Sequence, residues 1–168
     1  MKKLILSISA MLVASISFAQ ANVSAVNQFG IANAAVVTQV GLANDSDVLQ
    51  IGLANLAIVD QDGRHNEADV NQGGALNFAK VDQRNRRNDA YIGQLGIGNA
   101  AFIYQDGRRN DALIGQAGFL NYARTTQIGR DNSATNFQLG NGNSSNTMQE
   151  GHDNNSLGLQ VGIGNSAN

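Results

Sequence analysis

Residues 99–110 read Asn99-Ala100-Ala101-Phe102-Ile103-Tyr104-Gln105-Asp106-Gly107-Arg108-Arg109-Asn110, and their reading decides the fold. Ala101, Ile103 and Gln105 alternate with Phe102, Tyr104 and Asp106, the period-2 pattern of a strand with two unlike faces. Gly107 offers the positive φ of a sharp corner, and two Arg expose that corner to water.

Working outward, the same template returns every 11 residues without an insertion or deletion. Units open at Asn22, Asn33, Asn44, Asn55, Asn66, Asn77, Asn88, Asn99, Asn110, Asn121, Asn132, Asn143 and Asn154, and Asn165 closes the last. Six residues into each unit stands Gln28, Gln39, Gln50, Gln61, Gln72, Gln83, Gln94, Gln105, Gln116, Gln127, Gln138, Gln149 or Gln160. Gly follows two residues after the Gln in twelve of the thirteen units; Asn85 is the exception, and Asn is the next best residue at a left-handed position. Thirteen concordant units identify a repeat protein.

The third position is always Ala or Ser, and the fifth is Val or Ile from Val26 to Ile114. The second, fourth, sixth and eighth positions vary from Asp to Phe. Constancy on one face and variety on the other put the odd positions inside. Such an interior is too thin for a wide globular core but suits two sheets about 10 Å apart, with rungs about 4.8 Å apart. The corners show that a rung is two units, 22 residues: Arg64-His65, Arg86-Arg87, Arg108-Arg109, Arg130-Asp131 and His152-Asp153 alternate with mostly apolar pairs such as Ile31-Ala32, Leu53-Ala54 and Phe119-Leu120. The pattern predicts an all-β, parallel two-sheet β-solenoid of thirteen strand–turn units, a column roughly 30 Å tall at about 4.8 Å per rung.

Met1–Ala19 is a different kind of segment. Lys2 and Lys3 precede the apolar run Leu4–Phe18, and Ser17-Phe18-Ala19 resembles a small-x-small processing site, so residues 1–19 read as a secretory signal peptide and 20–168 as the repeat domain. Its removal leaves 9 basic against 13 acidic residues, a net charge of −4 that argues against a general or sequence-specific nucleic-acid binder. The chain has no Cys, hence neither disulfides nor thiolate metal sites, and no Pro, so every backbone N–H is available for pairing.

Inside the predicted column, identical Asn and Gln side chains stack into amide ladders. A buried amide left unpaired costs roughly 1–3 kcal/mol, so the ladders enforce the register. The repeat starts within three residues of the expected mature N-terminus and runs to the end of the sequence, with no capping segment at either side. Bare ends of this kind are expected to satisfy their ladders on another copy, giving an end-to-end cross-β fibre.

The Asn-x-Ala-x-(Val/Ile)-x-Gln-x-Gly-x-x-Asn pattern from Asn22 to Asn165, read as paired 11-residue halves, resembles the curlin repeat of curli fibre subunits. The resemblance implies an extracellular functional amyloid of biofilm matrix that mediates adhesion and cell aggregation. It further implies export through the periplasm and a dedicated outer-membrane pore, and seeding by a minor nucleator subunit. Uniform repeats favour the major subunit; a nucleator or anchor is the nearest alternative, and a monomeric solenoid binding module or adhesin a more distant one. Only Gln20-Ala21 stands where family members carry a polar leader.

The two edges suggest contacts. Arg64, Arg86, Arg87, Arg108 and Arg109 form an edge able to bind anionic matrix polymers, or a solvated one, partly neutralised by Asp45, Glu67, Asp89 and Asp111 beside it, that slows premature assembly. Phe29, Leu53, Phe78 and Phe119 mark an apolar edge suited to lateral contact between fibres or attachment to surfaces, or one that folds partly under the corner and packs there. Val26 to Ile114 give way to Thr125, Asn136, Thr147 and Gly158 at the branched core position, so the C-terminal rungs are expected to be the less stable ones.

No enzymatic chemistry is indicated, and no cofactor or metal. His65 and His152 stand apart on charged corners, and the carboxylate pairs Asp45/Asp47 and Glu67/Asp69 lie on an outer face without a pocket. The glycines of Gly93-Gln94-Leu95-Gly96-Ile97-Gly98 fall on repeat and corner positions rather than before a helix. Ice-binding modules need a repeated flat outer face, polysaccharide lyases need loop insertions, and calcium β-rolls need Asp-bearing nonapeptides; none is present.

Overall fold

The computed structural model describes residues 12–18 and 21–168, with side chains described from residue 21 onward. Fifteen strands follow one another: β1 (Leu12–Phe18), β2 (Val23–Ile31), β3 (Ala34–Leu42), β4 (Asp45–Leu53), β5 (Leu56–Arg64), β6 (Glu67–Ala75), β7 (Phe78–Arg86), β8 (Asp89–Ile97), β9 (Ala100–Arg108), β10 (Asp111–Phe119), β11 (Tyr122–Arg130), β12 (Ser133–Asn141), β13 (Ser144–His152), β14 (Asn155–Ile163) and β15 (Ser166–Ala167). Alternate strands pair, giving an eight-stranded sheet β1-β3-β5-β7-β9-β11-β13-β15 and a seven-stranded sheet β14-β12-β10-β8-β6-β4-β2. Every pairing is parallel with partners 22 residues apart, as in Ile103↔Thr125 and Gln105↔Gln127. The thirteen units and the 22-residue rung are therefore both present.

The inward face is as thin as the repeat requires. Ala57, Val59 and Gln61 of β5 are buried, and the same three positions of β7, β8, β9 and β10 are buried too. Each Val or Ile so placed contributes roughly 1.5–3 kcal/mol by burial, and the eight from Val37 to Ile114 form the apolar spine. The corners do not interrupt the ladder, since Leu56 N donates to Asn77 O (2.9 Å) and Leu76 N to Leu53 O (2.9 Å).

The Gly two residues after each Gln has a stronger cause than turn freedom. A Cβ on Gly107, at φ +139, would stand 1.7 Å from the carbonyl oxygen of Gly129 in the next rung. Close backbone approach between rungs thus demands the missing side chain. Asn85 fits by adopting φ 73, closer to the ordinary left-handed region, and its Nδ2 donates to Asp106 Oδ1 at 2.6 Å. The second corner residue is also left-handed in every unit, yet it is Ala54 (φ 54), His65 (φ 56), Leu76 (φ 57) or Arg87 (φ 55). Gly98, Gly142 and Gly164 at the same position are the faint sign in the sequence of this second strained position.

One difference concerns the N-terminal segment. Leu12–Phe18, inside the expected signal peptide, forms β1 and pairs with β3 in the 22-residue register, Leu12↔Ala34 through Phe18↔Val40. Backbone hydrogen bonding asks for no particular side chain, so the open edge of β3 accepts an extended segment that lacks the repeat's Asn and Gln. The remainder of the expected signal peptide, with Ala19, lies outside the described residues.

Candidate functional site

The column's working surfaces are its stacking ladders and its two outer faces. From Gln28 to Gln138 each Gln Nε2 donates to the Gln Oε1 of the next C-terminal rung, as from Gln61 to Gln83 (2.8 Å), Gln83 to Gln105 (2.9 Å) and Gln105 to Gln127 (2.9 Å). Its second proton crosses the interior to a backbone carbonyl of the opposite sheet, as from Gln83 to Glu67 O (2.7 Å). The Gln ladders therefore tie both sheets together and point one way.

The Asn ladders point the other way and use the backbone. Asn99 N and Nδ2 both donate to Asn77 Oδ1 of the preceding rung, at 3.1 and 3.2 Å, and Nδ2 also reaches Leu95 O and Gly118 O. One side chain thus binds its own corner, the rung before and the rung after, which is why no other residue opens a unit. From Asn33 to Asn143 and from Gln39 to Gln160 the predicted ladder residues are buried; Asn22, Gln28 and Asn154 are half-buried. Gln28 Oε1 is buried with no hydrogen-bond partner among the described residues.

The C-terminal interior differs from the expectation of simple weakening. Asn136 is buried and reaches across to the other sheet, donating from Nδ2 to Thr125 Oγ1 and Thr147 Oγ1, both at 3.0 Å. Its Oδ1 accepts from Ser145 Oγ (3.0 Å) and Thr147 Oγ1 (3.3 Å). A Cβ on Gly158 would lie 2.4 Å from that Oδ1, so Gly158 is the space that Asn136 needs. Four polar or small residues replace the Val/Ile spine with a satisfied hydrogen-bond cluster. The sequence signal was their coincidence at one repeat position in four successive units.

Charge is divided between the sheets. Among the described residues every Lys and Arg lies on the eight-stranded sheet or on the corners that follow its strands. The outer face of the seven-stranded sheet carries Asp45, Glu67, Asp89 and Asp111 in direct register, with Asp47 beside Asp69. Partial burial and the carboxylates of Glu67, Asp111 and Asp69 push Asp89 up to about 6. Asp69 is raised by burial and then by Asp47, Glu67 and Asp45. The Arg corners therefore do not neutralise this acidic column fully.

Arg64, Arg86, Arg108 and Arg130 also stand in register, followed by His152. They line a groove of about 660 Å³ with Gly63, Asn85, Gly107 and Gly129. Arg87 and Arg109, grouped with them by sequence, sit one residue later on the exposed turn and outside the groove. Arg109 instead holds Asp131 in a two-pronged ion pair at 2.6 and 2.7 Å. That hydrogen bond keeps the Asp131 carboxyl below the usual carboxylate range. Arg130 and His152 occupy the same repeat position as Arg64 and were legible as continuations of the ladder.

On the apolar side Phe29, Leu53 and Phe119 are exposed, whereas Phe78 is half-buried and tilted against Phe102 at 5.3 Å, which in turn meets Tyr122 at 5.5 Å. The structure thus keeps three of the four proposed edge residues free and places Phe78 in an aromatic ridge. On the other sheet Gly73, Gly93 and Gly115 lie in an apolar depression walled by Tyr91, Leu95 and Phe137.

Parallel arches, directional ladders and a one-residue-thick interior define a repeat protein whose every rung is a template for the next. Residues 43–74, 74–107 and 107–135 match the curlin associated repeat. The matches run from 43 to 135, more than half of the 168 residues, and the chain belongs to the curlin repeat family. No curated protein matches the chain.

Proposed function

We propose that this chain is a secreted structural subunit, not an enzyme, that polymerises end to end into extracellular curli-type fibres. In this reading residues 1–19 direct export to the periplasm, an outer-membrane pore passes the chain to the cell surface, and a nucleator subunit seeds it there. The fibres then serve a biofilm matrix, holding cells to one another and to surfaces. Among the described residues no helix is long and apolar enough to cross a membrane.

The observation that carries this reading is the iteration of the ladders. Each rung offers the next the same donors and acceptors in the same direction, so any segment with the same pattern extends the column, a second copy included. Gln28 Oε1, without a partner among the described residues, is the acceptor such a copy would fill with a Gln Nε2. Removing residues 1–19 would also uncover the β3 edge that Leu12–Phe18 occupies.

The test is thioflavin T kinetics on denatured, desalted chain lacking residues 1–19, with and without preformed seeds, followed by fibre diffraction. A lag phase abolished by seeds, with reflections near about 4.7 and 10 Å, is the expected result. A stable, dye-negative monomer that ignores seeds would overturn the reading.

A further inference from the structure

We propose that the groove along the charged corner binds a linear acidic polysaccharide bearing one carboxylate per sugar, laid parallel to the column axis. Arg64, Arg86, Arg108 and Arg130 succeed one another rung by rung, and His152 follows. Strand pairing fixes their backbone spacing at about 4.8 Å, where like charges repel unless an anion lies among them. The ion pairs among the described residues are Arg84–Asp82 and Arg109–Asp131, so none of the four has a carboxylate partner. No carboxylate lines the groove, although Asp62, Asp106 and the acidic column stand on either side of it.

The geometry selects among polyanions. The guanidinium fork matches a carboxylate with two parallel hydrogen bonds, and a uronic acid chain repeats that carboxylate along a line as the corner repeats Arg. The floor is Gly63, Asn85, Gly107 and Gly129, so three of its four residues have no side chain to hold a sugar ring away from the backbone. No aromatic side chain lines the groove, and without one a single-stranded nucleic acid has nothing on which to stack its bases. Duplex DNA presents two rows of phosphates across a wide groove, whereas the corner offers one row. The site lies within one copy of the chain, so it stands whether or not the chain polymerises.

The probe is fluorescein-labelled polymannuronate, measured by anisotropy on the monomer or by co-sedimentation with fibres. The fourfold variant Arg64→Gln/Arg86→Gln/Arg108→Gln/Arg130→Gln is expected to lose binding by at least about tenfold, since each charge-assisted fork is removed. Lys80→Gln/Arg124→Gln, which removes two cations on the outer face of the eight-stranded sheet, six residues along the strand from the groove, is expected to keep it within about twofold because charges more than a Debye length from the contact are screened. Replacing the four groove Arg by Lys keeps the charge and the fold but removes the fork, and should weaken binding measurably. Equal losses in the groove and off-groove variants would reduce the effect to bulk charge and overturn the site. Tighter binding of a single-stranded DNA oligomer than of polymannuronate would replace the polysaccharide by nucleic acid.

Discussion

The rungs around Ile103 and those around Asn136 share one backbone and one register but are filled by opposite chemistry. In the first, Val81, Ile92, Ile103 and Ile114 make a dry spine with no polar atom at that position. In the second, Asn136 donates from its amide nitrogen to Thr125 and Thr147 and accepts from Ser145 at its amide oxygen. The apolar rungs gain from area alone, which any branched residue supplies. The polar rungs gain only while every partner is present, because a lost partner leaves a buried donor or acceptor costing about 1–3 kcal/mol. What unites the two regions is the Gln and Asn ladder, which does not notice the change. Register in this column is therefore held by the amides, and the core position is free to vary in kind.

The largest contrast should come from truncating the same position in each region. Ile103→Ala opens a cavity between two rigid sheets and is expected to cost about 2–5 kcal/mol. Thr147→Ala removes bonds to Asn136, which keeps Thr125 and Ser145, and is expected to cost about 1 kcal/mol. The guanidinium concentration that half-dissolves the folded column reads both values. Equal losses would mean that the polar cluster holds its rungs as strongly as the apolar spine holds its own.

A cycle at Asn136 sharpens the comparison at smaller energies. Asn136→Val alone strands the buried Thr125 hydroxyl and should destabilise by about 1–3 kcal/mol. Thr125→Val/Asn136→Val/Thr147→Val restores a spine and should recover that loss or exceed it. Gly158→Ala is expected to harm the natural chain, because its Cβ meets Asn136 Oδ1, and to be neutral or stabilising in the triple variant. The same cost in both backgrounds would show that Gly158 is not kept for Asn136.

These differences mark where sequence reading stops. Register, rung length and the two faces were legible because side-chain alternation and the 11-residue period state them directly. Arg130 and His152 were legible too, by position rather than by resemblance to an Arg pair. The Asn136 cluster was not: contacts between units 11 residues apart cross from one sheet to the other, and a linear alignment shows only a weakened Val column. Nor was the true demand on Gly107, since the clash is with Gly129 of the next rung and not with its own turn. The left-handed Leu76 and His65 carried no signal of their own, only that of Gly98, Gly142 and Gly164 at the same position, because stacking imposes that conformation on whatever residue falls there.

The acidic column distinguishes the two regions once more, by the smallest effect. It runs through Asp45, Glu67, Asp89 and Asp111 and then turns neutral at Ser133 and Asn155. Partial burial and the neighbouring carboxylates push Asp89 up to about 6 in the column, above the ordinary 3.8 of an Asp, so between the two values the folded state holds a proton that the unfolded chain has released. Ionised Asp89 therefore opposes folding above pH 6, and stability rises as pH falls from about 6 towards 3.8. Asp89 is exposed enough that solvent screening should limit the gain to about 1 kcal/mol or less. Asp131, held below its ordinary range by Arg109, acts in the opposite sense but only under more acid conditions, outside this window. Asp89→Asn should reduce the change in half-dissolution concentration between pH 7 and pH 4.5, and Asp69, raised in the same sense, should account for what is left. A slope unchanged by Asp89→Asn would mean that repulsion within the column is already relieved by the Arg corners, and that both regions answer to pH alike.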